Sequence, residues 1–164
     1  MKYNVTFIAK IVVYAMVFAV LVVLVILMPE LAREEAASNP AVHHVDWPYF
    51  VGAWILSIPI FVASHQTLKL ISYVDKQEAL ANKSIKALQN IKICAIAFGI
   101  LILLAAAATV TAAKIVSPQE DTPPVMLIGF VLAFTASIIA TSTAVLQKLL
   151  QNAIVIKSEN DLIV

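Results

Sequence analysis

Two histidines and an aspartate stand close together in the stretch His43-His44-Val45-Asp46-Trp47. Imidazoles and a carboxylate are ligands for a zinc-like metal ion, so His43, His44 and Asp46 are the first candidates for chemistry. Their spacing argues against it. Neighbouring residues on a helix point about 100° apart, and no third or fourth ligand follows at a separation typical of zinc sites. Glu34 and Glu35 would join only if the loop folded back on itself. The favoured reading is a loop entering an aromatic belt at a membrane surface. Trp47, Tyr49 and Phe50 follow directly, and Trp54 lies one turn further on. No cofactor is expected.

His65, Gln66 and Thr67 form a second polar group, late in an apolar run. A polar group at membrane depth is by default a functional candidate, and an imidazole there would make a titratable sensor. Lys69 follows two residues later, and its long side chain can reach the interface. A polar helix end is therefore the simpler reading. Cys94 is the sole cysteine. It excludes an internal disulfide and, set in an apolar run, reads as a packing residue. The chain has no phosphate-binding loop, no G-x-S-x-G and no H-E-x-x-H. The expectation is a non-enzymatic protein. A lipid-modifying enzyme would have only His43, His44 and Asp46 to work with.

The elements that carry these residues follow from composition. The 164-residue chain is 62% hydrophobic and 13% charged, against about 45–50% and about 25% in globular domains. So much apolar surface suits a chain whose solvent is lipid. Four uncharged or nearly uncharged runs, at residues 11–28, 49–71, 91–113 and 125–146, each approach the roughly 17–25 residues that cross a bilayer. Backbone groups in lipid must be satisfied within the segment, so each run predicts a helix. The fold class expected is all-α, a four-transmembrane-helix bundle in one membrane domain. Pro59 predicts a kink in the second span. The first run is longer than the 7–15 apolar residues of a secretory signal and reads as a retained anchor.

Orientation follows from the cations. Lys2, Lys10, Lys69, Lys76, Lys83, Lys86, Lys92, Lys148 and Lys157 fall on one side of the four runs; Arg33 and Lys114 fall on the other. Positive loops stay in the cytoplasm. Both termini are therefore expected there, in a bacterial cytoplasmic membrane. The stretch Asn82-Lys-Ser-Ile-Lys-Ala-Leu-Gln-Asn-Ile-Lys-Ile-Cys reads as one helix crossing from water into hydrocarbon. Asn82 or Ser84 is the expected cap, and the lysines lie among headgroups. With a formal net charge of +1, direct binding of nucleic acid is not expected.

Packing can also be read. Gly129, Ala133, Ser137 and Thr141 recur every four residues in the fourth run, and Gly99 lies in the third. Small residues let membrane helices approach and let hydroxyls bond across, so these two helices are expected to pair. Beyond the bilayer, Leu146, Leu149, Leu150, Ala153 and Ile154 repeat at three and four. They are expected to pack on Ile85 and Leu88, so that helices two to four extend into a short cytosolic stem with a tail at 147–164; the alternative is that the same faces lie flat on the membrane surface.

The basic linker at 82–95 and the terminal Ile-Lys-Ser-Glu-Asn-Asp-Leu-Ile-Val resemble a family of small four-span bacterial membrane proteins of unknown function. Members more often have Thr where Ile163 stands. The resemblance implies a four-helix fold and a gene often found beside one for a helix-turn-helix regulator of the Cro/repressor type. No catalytic residues carry over. On this reading the protein is a membrane regulator, sensor or immunity-type protein. It would engage a cytosolic partner through Lys76, Lys83, Lys86, Lys148, Glu159 and Asp161, and homo-oligomers are possible. The alternative is a small transport or channel component using a path past His65, Ser137 and Thr141.

Overall fold

The structure, a computed structural model, describes residues 2–27, 29–30, 46–75, 82–116 and 123–161. All of it is helical; no strand occurs among the described residues. Helix α1 spans Lys2–Val22 and continues as a π-helical segment, Val23–Leu27. Helix α2 spans Asp46–Asp75, α3 spans Asn82–Val116 and α4 spans Pro123–Asp161. Each contains a run long and apolar enough to cross a membrane.

Local chemistry accounts for several of these boundaries. Prolines open α2 (Pro48) and α4 (Pro123, Pro124), within the first turn, where a missing N–H has no helical partner to lose. Asn82 begins α3, and Lys114 lies in its last turn, where a cation complements the helix dipole. Helix α2 is unbroken through Pro59. The 35 and 39 residues of α3 and α4, at about 1.5 Å each, exceed a hydrocarbon core of about 30 Å.

The helices pack as antiparallel neighbours in series: α1 on α2, α2 on α3, and α3 on α4, with the last contact the most extensive. The core is small-residue rather than large. Ala106, Ala133, Ala136 and Ala140 are buried between α3 and α4, while Phe18, Leu104, Leu127, Phe130 and Phe134 are each more than 60% exposed. This inverted pattern is what lipid permits. Hydrocarbon is as good a solvent for Leu as a protein core, so helix association depends on close backbone approach.

Gly129 marks the closest approach. A Cβ added there would lie 2.7 Å from the Ala106 Cβ, whereas one at Gly99 would sit 3.5 Å from the Ala136 Cβ, an ordinary contact. Along α4 the side facing α3 runs Gly129, Ala133, Ala136, Ala140, Thr143, Gln147, Leu150 and Ile154, all buried or half-buried. The spacing alternates four and three, the period of a left-handed helix pair. The every-fourth stripe expected from sequence therefore holds only for Gly129 and Ala133; Ser137 and Thr141 are exposed. Each four-residue step advances about 40° around an α-helix, so such a stripe leaves a neighbour within three steps.

Hydroxyls also behave differently from the expectation of bonds across helices. Ser137 Oγ donates to the Ala133 carbonyl at 2.9 Å and Thr141 Oγ1 to the Ser137 carbonyl at 2.8 Å. The buried Ser57, Ser64 and Thr143 likewise donate to the carbonyls of Trp54, Ile60 and Ile139 of their own helices. Such back-bonding satisfies a hydroxyl in an apolar place without a partner helix.

Candidate functional site

The register set by Gly129 against Ala106 and by Gly99 against Ala136 continues down the α3/α4 pair. Extended at constant register, it pairs Leu150 with Ile85 and Gln147 with Leu88, at the end of the pair where α3 begins and α4 finishes. There the helices leave their apolar runs and form a stem. Ser84, Ala87 and Leu88 are buried at 0%, 3% and 6%, three buried positions within five residues. Ser84 has a polar partner. Large apolar residues return to the core here: Leu88 is buried, and Leu150 and Ile154 are half-buried.

The stem splits the leucine stripe expected to pack on Ile85 and Leu88. Leu150 and Ile154 face α3 and are half-buried. Leu146 and Leu149 point away, 55% and 60% exposed. Both cannot face one helix, because Leu149 and Leu150 differ by about 100° in direction.

The charged candidates gather on this stem. Lys83 and Lys86 are exposed on α3; Lys148, Lys157 and Glu159 are exposed on α4. Asp161 is the last residue of α4. Lys76 lies outside the described residues. Two rigid helices thus present lysines and a carboxylate from one side of the membrane protein.

A feature that sequence reading missed sits beside them. Lys10 Nζ of α1 forms an ion pair with Asp75 Oδ2 at the end of α2, and Thr6, one turn before Lys10, also hydrogen-bonds that carboxylate. A sequence signal existed. An anion at a helix C-terminus is opposed by the helix dipole, so Asp75 needed a cation. Thr6 and Lys10, four residues apart, share a helix face.

The other candidates do not assemble into a centre. His43 and His44 lie outside the described residues, and Asp46 is the first residue of α2. His65 is exposed, next along the same face to exposed Lys69. Gln66 is half-buried, and Thr67 Oγ1 donates to the Ala63 carbonyl at 2.9 Å. Among the described residues no three His, Cys, Asp or Glu side chains gather closely enough to hold a metal ion. Cys94 is free and half-buried in α3.

Four apolar helices in antiparallel series, with large side chains outward and a polar stem at one end, define a polytopic helical membrane protein. The chain belongs to a family of proteins of unknown function, DUF2975, whose profile matches residues 30–164. It is 37% identical over 145 residues to the uncharacterized membrane protein YoaS of Bacillus subtilis (strain 168), covering 88% of each chain. No solved structure matches it.

Proposed function

We propose that this protein is a non-enzymatic regulator, sensor or immunity-type protein of the bacterial cytoplasmic membrane. Its stem and both termini face the cytoplasm and hold a cytosolic partner there. The single observation that carries this reading is the stem itself. A membrane anchor needs no more helix than the bilayer is thick, yet α3 and α4 run on together and expose Lys83, Lys86, Lys148 and Glu159. A helix-turn-helix repressor is the partner suggested by the gene neighbourhood that the family resemblance implies. The excess of lysines at this end supports its cytoplasmic placement.

Two measurements test the reading. A thiol label at Lys83→Cys, in a Cys94→Ala background, is expected to react only after cells are opened; reaction in intact cells overturns the orientation. The full-length membrane protein is expected to co-purify with the repressor encoded beside it. Lys83→Glu with Lys86→Glu, or deletion of residues 158–164, is expected to lower recovery at least about tenfold, as loss of about 1.4 kcal/mol would. Unchanged recovery in both variants removes the stem from the role.

A further inference from the structure

The stem of α4 has two apolar faces, and α3 covers only one. Gln147, Leu150 and Ile154 turn toward α3. Val145, Leu146, Leu149 and Ile156 are exposed at 54%, 55%, 60% and 66%; Ala153 and Asn152 lie between them along the helix. At 100° per residue these six form one stripe, centred about 130° around the helix from the α3 contact. Leu149 and Ile156 are one heptad apart on its midline. Above them the stripe continues into the apolar run through Ile139, Ile138, Ser142 and Thr135, all exposed. Lipid covers that upper part. A hydrocarbon core of about 30 Å takes some twenty helical residues, so a span entered near Met126 is left before Leu149 and Ile156 while α4 stands upright against α3, and the helix cannot lie flat on the membrane without leaving that contact.

We propose that a second copy of this chain covers the stripe, through parallel pairing of α4 with α4 about a two-fold axis normal to the membrane. Copies in one membrane share their orientation, so each stripe meets itself in register. No charged residue lies within it, so self-pairing brings no like charges together at its centre. The flanks are complementary. Glu159 and Lys157, both exposed, lie about 80° to either side of the midline and two residues apart along the axis. In a parallel two-fold pair, opposite flanks meet, so Glu159 of each chain faces Lys157 of its partner. Asn152, one heptad before Glu159, lies on the same flank as that carboxylate, so the seam runs through Leu146, Leu149, Ala153 and Ile156. The apolar a/d seam with flanking ion pairs is the pattern of a two-stranded coiled coil.

This inference concerns the apolar face of α4 and is independent of the partner proposed above. Its test uses the purified full chain alone, in liposomes. In a Cys94→Ala background, single cysteines replace Leu149, Ala153, Ile156, Gln151 or Ser158, and copper-phenanthroline supplies the oxidant. Disulfide-linked dimers are expected at Leu149, Ala153 and Ile156, at least about tenfold above Gln151 and Ser158, which point away. A flat profile, or a maximum at Gln151 or Ser158, overturns the proposal. In the same liposomes Lys157→Glu and Glu159→Lys singly are expected to lower the dimer fraction by single-molecule photobleaching, and the two together in one chain to restore it. Monomers throughout, in the unaltered protein, also overturn it.

Discussion

The contact of α1 with α2 and that of α3 with α4 solve one problem in different ways. Both pairs are antiparallel and both lie among apolar side chains. Between α3 and α4 the backbones close on glycine and alanine through the apolar runs, at Gly99, Ala106, Gly129, Ala133 and Ala136. Between α1 and α2 the contact is much less extensive. At one end it is held by the Lys10–Asp75 ion pair with Thr6. At the other, an open groove of about 350 Å³ is lined by Val23 and Leu24 of the π-helical segment and by Leu56, Ser57 and Ile60 of α2. The difference teaches where cohesion resides in a membrane protein. With no hydrophobic force between helices in lipid, small residues give strong contact, and where they are missing a polar clamp takes over. All of α1 also precedes the residues matched by the family profile.

The comparison is open to experiment, most sharply in the stem. Leu88→Ala removes a side chain that is 6% exposed in the watery part of the α3/α4 pair, and should cost about 2–5 kcal/mol. Leu127→Ala, on the outer face of the same pair at 66% exposure, should cost less than about 0.5 kcal/mol. Unfolding titrations in bicelles compare the two. Equal losses would mean that the stem is not the water-packed part of the molecule.

Next in size is Gly129→Ala, whose Cβ falls 2.7 Å from that of Ala106. Overpacking of about 1–3 kcal/mol is expected, with most of it recovered by adding Ala106→Gly. Failure of the second change to rescue would place the close approach elsewhere. Helix α1 should not respond to either substitution.

The clamp predicts a smaller and more local effect. Lys10→Ala or Asp75→Asn should loosen α1 while leaving the α3/α4 pair intact. Disulfide trapping between Val20→Cys and Leu56→Cys should fall a few-fold, the size usual for a solvent-accessible ion pair. The exchange Lys10→Asp with Asp75→Lys should recover part of it, and high salt should mimic the loss. If trapping is unchanged in all of these, shape and not charge holds α1.

Smallest of all should be Gly99→Ala and Ser64→Ala. The first adds a Cβ at ordinary contact distance from Ala136. The second removes a hydroxyl whose partner is its own helix, the Ile60 carbonyl at 2.8 Å. Thermal unfolding in micelles should shift by less than about 1 kcal/mol in each. A large loss at Gly99 would mean the seam is tighter there than at Gly129.

Much of this molecule was legible in its residues, and for a definite reason. Apolar runs with few charges over some twenty residues can only be helices in lipid, so four spans and their antiparallel order follow without tertiary knowledge. Asn82, one of the two caps expected for the third helix, does begin α3. The candidate site was legible in part: the lysines at 83, 86 and 148 stand out against a nearly uncharged background. The Lys10–Asp75 pair was not found, because its members are far apart in sequence and each has a local explanation as an interfacial charge.

What the residues by themselves determined is the kind of solvent each segment suits. Hydropathy is a property of composition over a window, and no neighbour can change it. Which side of each helix meets its neighbour was decided only in three dimensions. Gly129 and Ala133 belong equally to a four-residue stripe and to an alternating four-three seam, and only the α3 backbone, pressed against Ala136 and Ala140, selects between them. The same rotation turned Leu150 inward and left Leu149 outward.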